Sequence, residues 1–321
     1  MNYLRKKKKQ MNILTVNELN LNTKNNSEAF VQAAEEQYRA RIEAVADGLT
    51  VHNADMPIIL ISGPSGSGKT TTAMRLATML EYRGKNVHIL SMDNYFLSVD
   101  DPRNEADENG NVDLESPKRL DMELLNDHLE KLWKCEEIDV PAFDFSKQHR
   151  TLGKNMKRNP GEFVIMEGIH ALNPEITGRI GKHATTVYVS VRTRLENKEG
   201  RLLHPSKIRL MRRLMRDKLF RGRPASGTLD FFANVERGEK RFIMPYKNSA
   251  MYDIDTFISY EAAVYKPLVL PELLAIRGIY EDYAKYADVE EFLTEIDEMD
   301  MTKVPLDSLV REFIGGSNYN Y

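Results

Sequence analysis

Ile58-Ile59-Leu60-Ile61-Ser62-Gly63-Pro64-Ser65-Gly66-Ser67-Gly68-Lys69-Thr70-Thr71 is the stretch whose reading decides the fold. Its first four residues form an unbroken apolar run, the pattern of a strand buried on both faces of a parallel sheet. The glycine-rich segment follows at once, and beyond it Ala73, Leu76, Ala77 and Leu80 recur at helical spacing, with Gly84 as a C-cap. Lys69 to Arg83 is therefore expected to be a helix. Between the strand and that helix, Gly63, Gly68, Lys69 and Thr70 fit GxxxxGK[ST]. Backbone N–H groups of such a loop wrap the α- and β-phosphates of a nucleotide, the lysine reaches the β- and γ-phosphates, and the Thr hydroxyl holds Mg²⁺. Ser65, Gly66, Ser67 and Thr71 complete the expected cradle. A glycine-rich turn that merely caps a helix is the plain alternative, and the flanking strand and helix weigh against it.

Reading outward, Val87–Ser91 is a second strand, so the chain opens on a βαβ unit. Further strands are expected at Phe163–Met166, Thr185–Val191 and Asp255–Ser259, with helices at Pro117–Trp133, Lys207–Phe220 and Glu261–Ile276. Strands alternating with helices give an α/β fold with a parallel sheet flanked by helices, the fold of P-loop nucleotide-binding proteins. Asp139 to Met156 reads as a small β-rich insertion. The first 27 residues read as a loose arm, basic at Arg5 through Lys9, and Ser27 to Val45 as an amphipathic helix with Val31, Ala34, Tyr38, Ile42 and Val45 on its apolar face. The expected organisation is an arm and helix over 1–56, a P-loop nucleotide-binding body over 57–279 with a lid near 205–225, and an acidic helical extension over 280–321, loose after Gly315-Gly316.

Composition excludes several classes. Hydrophobic residues make up 41% of 321, enough for a core, and a net charge of −3 gives no general pull toward nucleic acid or an acidic membrane. The single cysteine, Cys135, forms no internal disulfide and no thiolate metal cluster, which suits a reducing compartment. With no apolar run of membrane length, a cytoplasmic protein is expected. The 15 methionines read as core filling.

Two carboxylates stand where strands end. Asp93, just past the second strand, is placed either to accept a proton from a substrate hydroxyl or to close an Asx turn. Glu167, at the end of Phe163–Met166, is placed either to hold Mg²⁺ or to cap the next turn. On the helix at 207–220, Arg209, Arg212, Arg213 and Arg216 share one face opposite Ile208, Met211, Met215 and Leu219, and Arg221-Gly222-Arg223 extends the cluster. Only Asp217 offers internal compensation, so this face is read as an anion-binding lid, with a solvated face and a nucleic-acid contact as the other readings.

Together these segments resemble the uridine kinase and phosphoribulokinase family, on its uridine kinase branch, over roughly Pro57 to Leu270. The resemblance implies that Asp93, followed by Tyr95 and Phe96, is the base that deprotonates a nucleoside 5′-hydroxyl and lies near the metal. It implies that Asn111-Val112-Asp113 holds the ribose hydroxyls, with Val112 in place of an aromatic, and that Pro141-Ala142-Phe143-Asp144-Phe145 is the base-binding hairpin. Val164–Gly168 matches the metal-site strand. Arg213, Arg216, Arg221 and Arg223 match an RxxRDxxxRGR run whose first arginine contacts nucleoside and whose others contact phosphate. Where the family reads the pyrimidine with a His, this chain has Gln148 followed by His149. Asp107–Gly110 through Leu129 and Arg311–Gly316 are similar to a bacterial branch in which a threonyl-tRNA-synthetase-like half precedes this domain; here only 56 residues precede the first strand.

The expected activity is transfer of the γ-phosphate of ATP or GTP, with Mg²⁺, to the 5′-hydroxyl of uridine or cytidine. Lys69 and Arg216 are expected to act with Asp93 in catalysis; Tyr95, Asp113, Phe143, Gln148, His149 and Arg213 to contact substrate; and Thr70, Glu167 and Asp93 to lie at the metal. A kinase of another small sugar or sugar phosphate, and a non-catalytic ATP-binding regulator, are the alternatives. The expected partner is a small molecule, with no nucleic acid and no membrane, and self-association is left open. His170 receives no role.

Overall fold

A computed structural model describes residues 11–52, 55–105, 113 and 115–320. In chain order the main elements are β1 (Ile13–Thr15), α1 (Val16–His52), β2 (Ile58–Ser62), α2 (Lys69–Glu81), β3 (Val87–Ser91), α3 (Met122–Trp133), β4 (Glu137–Asp144), β5 (His149–Lys157), β6 (Phe163–Glu167), α4 (Pro174–Thr177), β7 (Ala184–Ser190), β8 (Arg194–Glu196), α5 (Pro205–Arg221), α6 (Ala225–Gly238), β9 (Tyr252–Asp255), α7 (Glu261–Ile276), α8 (Ala287–Glu295) and α9 (Arg311–Ile314). Two compact units form from interleaved stretches. One takes the residues up to Tyr38, Val191–Leu229 and Asp255–Asn320; the other takes Arg39–Ser190 and Asp230–Ile254.

The second unit carries the central sheet, in the order β3-β6-β2-β7-β9. β2 pairs in parallel with β6 on one side and β7 on the other, and β6 pairs in parallel with β3. Every residue of β2 and β6 is buried, which is why both read as unbroken apolar runs. Leu125, Leu129 and Leu132 of α3 pack with Leu60, Leu90 and Met166 of the sheet in one apolar core. The expected insertion is an antiparallel hairpin of β4 and β5, with a register shift between Val140 and Ala142. Gly153 is required in it, because a Cβ there would lie 1.9 Å from the Val140 carbonyl oxygen.

Several expectations need correction here. The Pro117–Trp133 helix is split: a 3₁₀ turn covers Pro117–Arg119, and α3 starts after Asp121, whose carboxylate accepts from Leu124 N at 3.3 Å. The last strand is Tyr252–Asp255 rather than Asp255–Ser259. The Asp255 carboxylate accepts from the backbone of Arg192 (2.9 Å), Thr193 (3.1 Å) and Phe257 (3.1 Å), which turns the chain at that point.

In the first unit β1 pairs in parallel with β8. Residues 11–27 are not a loose arm in this structure. Thr15 and Glu18 form a reciprocal capping box, Glu18 N to Thr15 Oγ1 and Thr15 N to Glu18 Oε2, both at 3.1 Å, and a helix begins there. α1 is broken at Asn26, whose side chain accepts from Ala29 N at 3.1 Å, so the helix expected from Ser27 starts at its own cap. Val31, Ala34, Tyr38, Ile42 and Val45 are all buried, as their spacing requires. Nor is the C-terminus loose after Gly315-Gly316: Asn318 N donates to the Leu306 carbonyl at 2.9 Å.

α5 starts at Pro205, in the position where a missing N–H costs nothing, and ends at Gly222 in the left-handed region. Its apolar side buries Ile208, Met211 and Met215, but Leu219, expected with them, is 49% exposed. The basic run at Arg5–Lys9 and the Asp107–Gly110 segment lie outside the described residues. No described helix is long and apolar enough to cross a membrane.

Candidate active site

The phosphate loop leaves the C-terminal end of β2. Gly63 is a matter of space: a Cβ there would sit 2.0 Å from the Val189 carbonyl oxygen and 2.8 Å from Ser67 Oγ. Gly66 (φ 74°) and Gly68 (φ 80°) are in the left-handed region, and Ser67 N closes the turn onto the Pro64 carbonyl at 3.1 Å. Gly68 is the N-cap of α2, no side chain caps it, and the first turn carries no acid. A helix N-terminus left in this condition favours an anion through its N–H groups and its dipole. Two further observations fit a bound phosphate: Ser67 Oγ is buried with no hydrogen-bond partner among the described residues, and Lys69 Nζ rests 3.5 Å from the Pro64 carbonyl, folded back over the loop.

Parallel pairing brings the carboxylates to the same edge. In the register of the sheet Glu167 faces Ile61 of β2 on one side and Ser91 of β3 on the other. The phosphate loop follows β2, Asp93 lies two residues beyond β3, and Glu167 ends β6 between them. Both link segments are tied: Gly168 N donates to the Ile61 carbonyl at 3.0 Å, and Ser62 Oγ donates to the Ile169 carbonyl at 2.7 Å. Gly168 was not singled out by sequence reasoning, yet a Cβ there would lie 2.5 Å from Met92 Cβ. Its missing side chain lets the end of β6 approach the turn that bears Asp93. Asp93 sits half-buried on a 3₁₀ turn, its N–H donating to Ser91 Oγ at 3.3 Å.

Among the described residues no three His, Cys, Asp or Glu side chains gather as a metal cage. A magnesium ion held by one or two protein groups and the nucleotide's own phosphates needs none, and Thr70 and Glu167 suit that arrangement.

Tyr95 is a correction. Expected at the substrate, it is fully buried, with its hydroxyl on His128 Nδ1 at 3.0 Å. Burial pushes its phenol above the ordinary value and holds the His128 imidazolium down. The aromatic that faces the hairpin is Phe96, whose ring centroid lies 5.8 Å from that of Phe143 and 6.5 Å from that of Phe145. Arg150, which sequence reasoning passed over, fastens this wall: it donates to the carbonyls of Tyr95 and Phe96, both at 3.2 Å, and to Asp121 Oδ2 at 2.9 Å. Gln148 occupies the hairpin turn with φ 53°; its amide nitrogen donates to the Phe145 carbonyl at 2.9 Å and its own carbonyl accepts from Val99 N at 2.9 Å. His149 is exposed, with Nδ1 3.7 Å from an Asp100 carboxylate oxygen. Asp113 is exposed and turns back to accept from Glu115 N at 3.0 Å; Asn111 and Val112 lie outside the described residues.

The arginines belong to the other unit. Arg212 does not contribute to an anion site. It is fully buried, and its guanidinium binds the equally buried Glu261 at 2.7 and 3.0 Å and the Thr256 carbonyl at 2.7 Å. Of the five others, Arg209 is buried, and four converge on Asp217, whose carboxylate is itself fully buried: Arg221 at 3.1 Å, Arg223 at 3.3 Å, Arg213 at 3.6 Å and Arg216 at 3.8 Å. Asp217 was read as a minor compensating charge and is the hub of the group.

The model of the phosphoribulokinase/uridine kinase family matches residues 58–258. The chain belongs to that family. The chain is a phosphotransferase with an alcohol group as acceptor. It is 34% identical over 195 residues to a uridine kinase of Borreliella burgdorferi, covering 60% of this chain and 83% of that one. A uridine kinase of Halobacterium salinarum is 28% identical over 192 residues, covering 59% and 76%. Among solved structures, D-glycerate 3-kinase from Cryptococcus neoformans is similar with a TM-score of 0.42 and 14% identity, covering 72% of this chain and 96% of that one.

Proposed function

We propose that this family member transfers the γ-phosphate of ATP or GTP to the 5′-hydroxyl of a pyrimidine nucleoside. The observation that carries the reading is the shared sheet edge, where three adjacent parallel strands deliver the phosphate loop, Glu167 and Asp93. A phosphoryl transfer asks for positioning and charge neutralisation more than for covalent catalysis. The acceptor oxygen attacks the γ-phosphorus, the bond from that phosphorus to the β,γ-bridging oxygen breaks, and the nucleoside diphosphate leaves. The hydroxyl proton passes to Asp93. Lys69 and the N–H groups of the loop hold the donor phosphates, and Thr70 and Glu167, with Asp93 nearby, hold Mg²⁺, which supplies charge neutralisation when bound. Arg216, Arg221 and Arg223 are assigned to donor phosphate and Arg213 to the nucleoside. Asp113 is assigned to ribose hydroxyls and Phe143, with Gln148 and His149, to the base.

One observation favours a second acceptor. The Gln148 amide nitrogen is engaged on the Phe145 carbonyl, which weakens base reading and suits a small polyol or sugar phosphate. Nucleotide consumption against a panel of nucleosides, sugars and sugar phosphates separates the two. In the same assay Asp93→Asn is expected to lower kcat by at least ~10²-fold while leaving nucleotide affinity nearly intact, since a positioned general base contributes about that much. Turnover equal to wild type removes Asp93 from the mechanism.

A further inference from the structure

His170 is a buried polar side chain that the reading above does not use. It is 2% exposed; its hydrogen-bonding neighbour is the Glu115 backbone, too loosely met to close a full hydrogen bond, and the other ring nitrogen has no partner among the described residues. Buried polar atoms are normally satisfied, and one left alone in a folded protein marks a place where something else binds. Its position is specific. The segment after Glu167 is fixed by the bonds Ala171 N to the Gly168 carbonyl (3.2 Å) and Asn173 N to the His170 carbonyl (2.9 Å), so the imidazole is held in place by its own backbone turn. The ring of Phe242 meets it edge to face with centroids 6.2 Å apart. Its ring N–H faces the Glu115 backbone carbonyl, two residues beyond Asp113, and the charges of Lys69, assigned to donor phosphate, and of Asp113, assigned to the acceptor's hydroxyls, both reach it.

We propose that His170 is an acceptor-binding residue whose imidazole hydrogen-bonds a hydroxyl group of the alcohol substrate; the assignment rests on the kinase reading above. The chemistry of the ring selects the ligand. Burial keeps the imidazole neutral, and with its N–H toward the Glu115 carbonyl the other ring nitrogen is left as an acceptor. A hydroxyl can donate to that nitrogen. A phosphate oxygen offers only acceptors and suits Lys69 and the loop N–H groups instead. Enclosure by Phe242 favours the same choice, since a neutral pair loses less than an ionic one on leaving water.

The test is steady-state kinetics of His170→Phe and His170→Gln, with uridine first and then any other alcohol of the panel that turns over. His170→Phe keeps a flat ring and removes both hydrogen-bonding atoms. It is expected to raise the acceptor KM roughly tenfold or more, the loss of one neutral hydrogen bond, while the nucleotide KM changes by less than about twofold. His170→Gln, which retains a donor and an acceptor, is expected to recover most of the loss. A purely structural histidine would lower stability without separating the two KM values. An acceptor KM in His170→Phe equal to wild type overturns the assignment and leaves the kinase reading standing. Wild-type protein that phosphorylates nothing in the panel overturns the kinase reading and this assignment with it. Should His170→Phe fail to fold, the wild-type protein decides: with ¹⁵N-labelled histidine, acceptor binding is expected to shift the ring nitrogen signals that are missing from His170→Gln. No shift at saturating acceptor overturns the proposal.

Discussion

Replacing Glu261 by Gln separates the two roles open to an arginine on α5. In the structure the Arg212 guanidinium and the Glu261 carboxylate are both 0% exposed and share bonds of 2.7 and 3.0 Å, and the same carboxylate accepts from Ile258 N at 3.0 Å ahead of α7. Water cannot replace the lost charge at this depth, so Glu261→Gln leaves a buried cation without its counterion. Removing one partner of such a pair costs about 3–5 kcal/mol. With a urea m-value of about 3 kcal/mol/M, the unfolding midpoint is expected to fall by roughly 1 to 1.7 M, followed by fluorescence of the single tryptophan, Trp133, and by circular dichroism. Arg212→Met combined with Glu261→Leu is expected to restore most of the midpoint, because an apolar pair of similar volume removes both desolvation costs. Nucleotide KM, measured below the transition, should stay within about twofold of wild type, since neither side chain reaches solvent. An Arg212→Met protein of unchanged midpoint and sharply raised nucleotide KM would refute this reasoning and return Arg212 to the anion-binding face.

Tyr95→Phe removes the hydroxyl from His128 and is expected to cost about 1–2 kcal/mol of stability in urea unfolding, with the acceptor KM within about twofold of wild type; a large rise in that KM would put Tyr95 back at the substrate. Stability should also depend on pH through His170, whose pKa burial lowers from 6.5 to about 4. The unfolded chain binds this proton first, so the contribution is fully present above pH 6.5 and is lost as pH falls toward 4, amounting to about 3 kcal/mol. His128, also lowered by burial, acts with the same sign. Urea midpoints across this window should slope downward toward acid, and His170→Gln should flatten the curve; an unchanged slope in that variant would refute the assignment of the proton.

Features carried by local interactions were legible in the chain. The apolar run of β2, the glycine spacing of the loop and the periodicity of α2 are neighbour effects over a few residues, and the structure has them where the sequence put them, except that α2 ends at Glu81, short of the expected Arg83, with Tyr82 and not Gly84 as its C-cap. The helix over Glu261–Ile276 matches residue for residue. The Thr15–Glu18 capping box was equally local and was available to be read; the asparagine- and lysine-rich composition around it masked the signal. The sharp turn at Asp255 was not available, because it depends on the backbone of Arg192 and Thr193, about sixty positions away in sequence.

The candidate site divides along the same line. Sequence alone picked out the candidate groups: a phosphate loop, two strand-end carboxylates and a run of arginines, because each is a residue type at a fixed spacing. Only tertiary structure decided which of them are free to act. Arg212 and Arg216 stand on one helix at equivalent spacing, yet Arg212 is fixed on Glu261, 49 residues away, and Arg216 lies with three others around Asp217. Tyr95 and Phe96 are adjacent, yet one faces His128 in the core and the other the hairpin. His170, just after the Glu167 strand end, could be given no role from sequence. Burial, a ring nitrogen without a partner and the nearby charges define it, and those are properties of the folded neighbourhood, set by strand order and packing and not by the residues on either side.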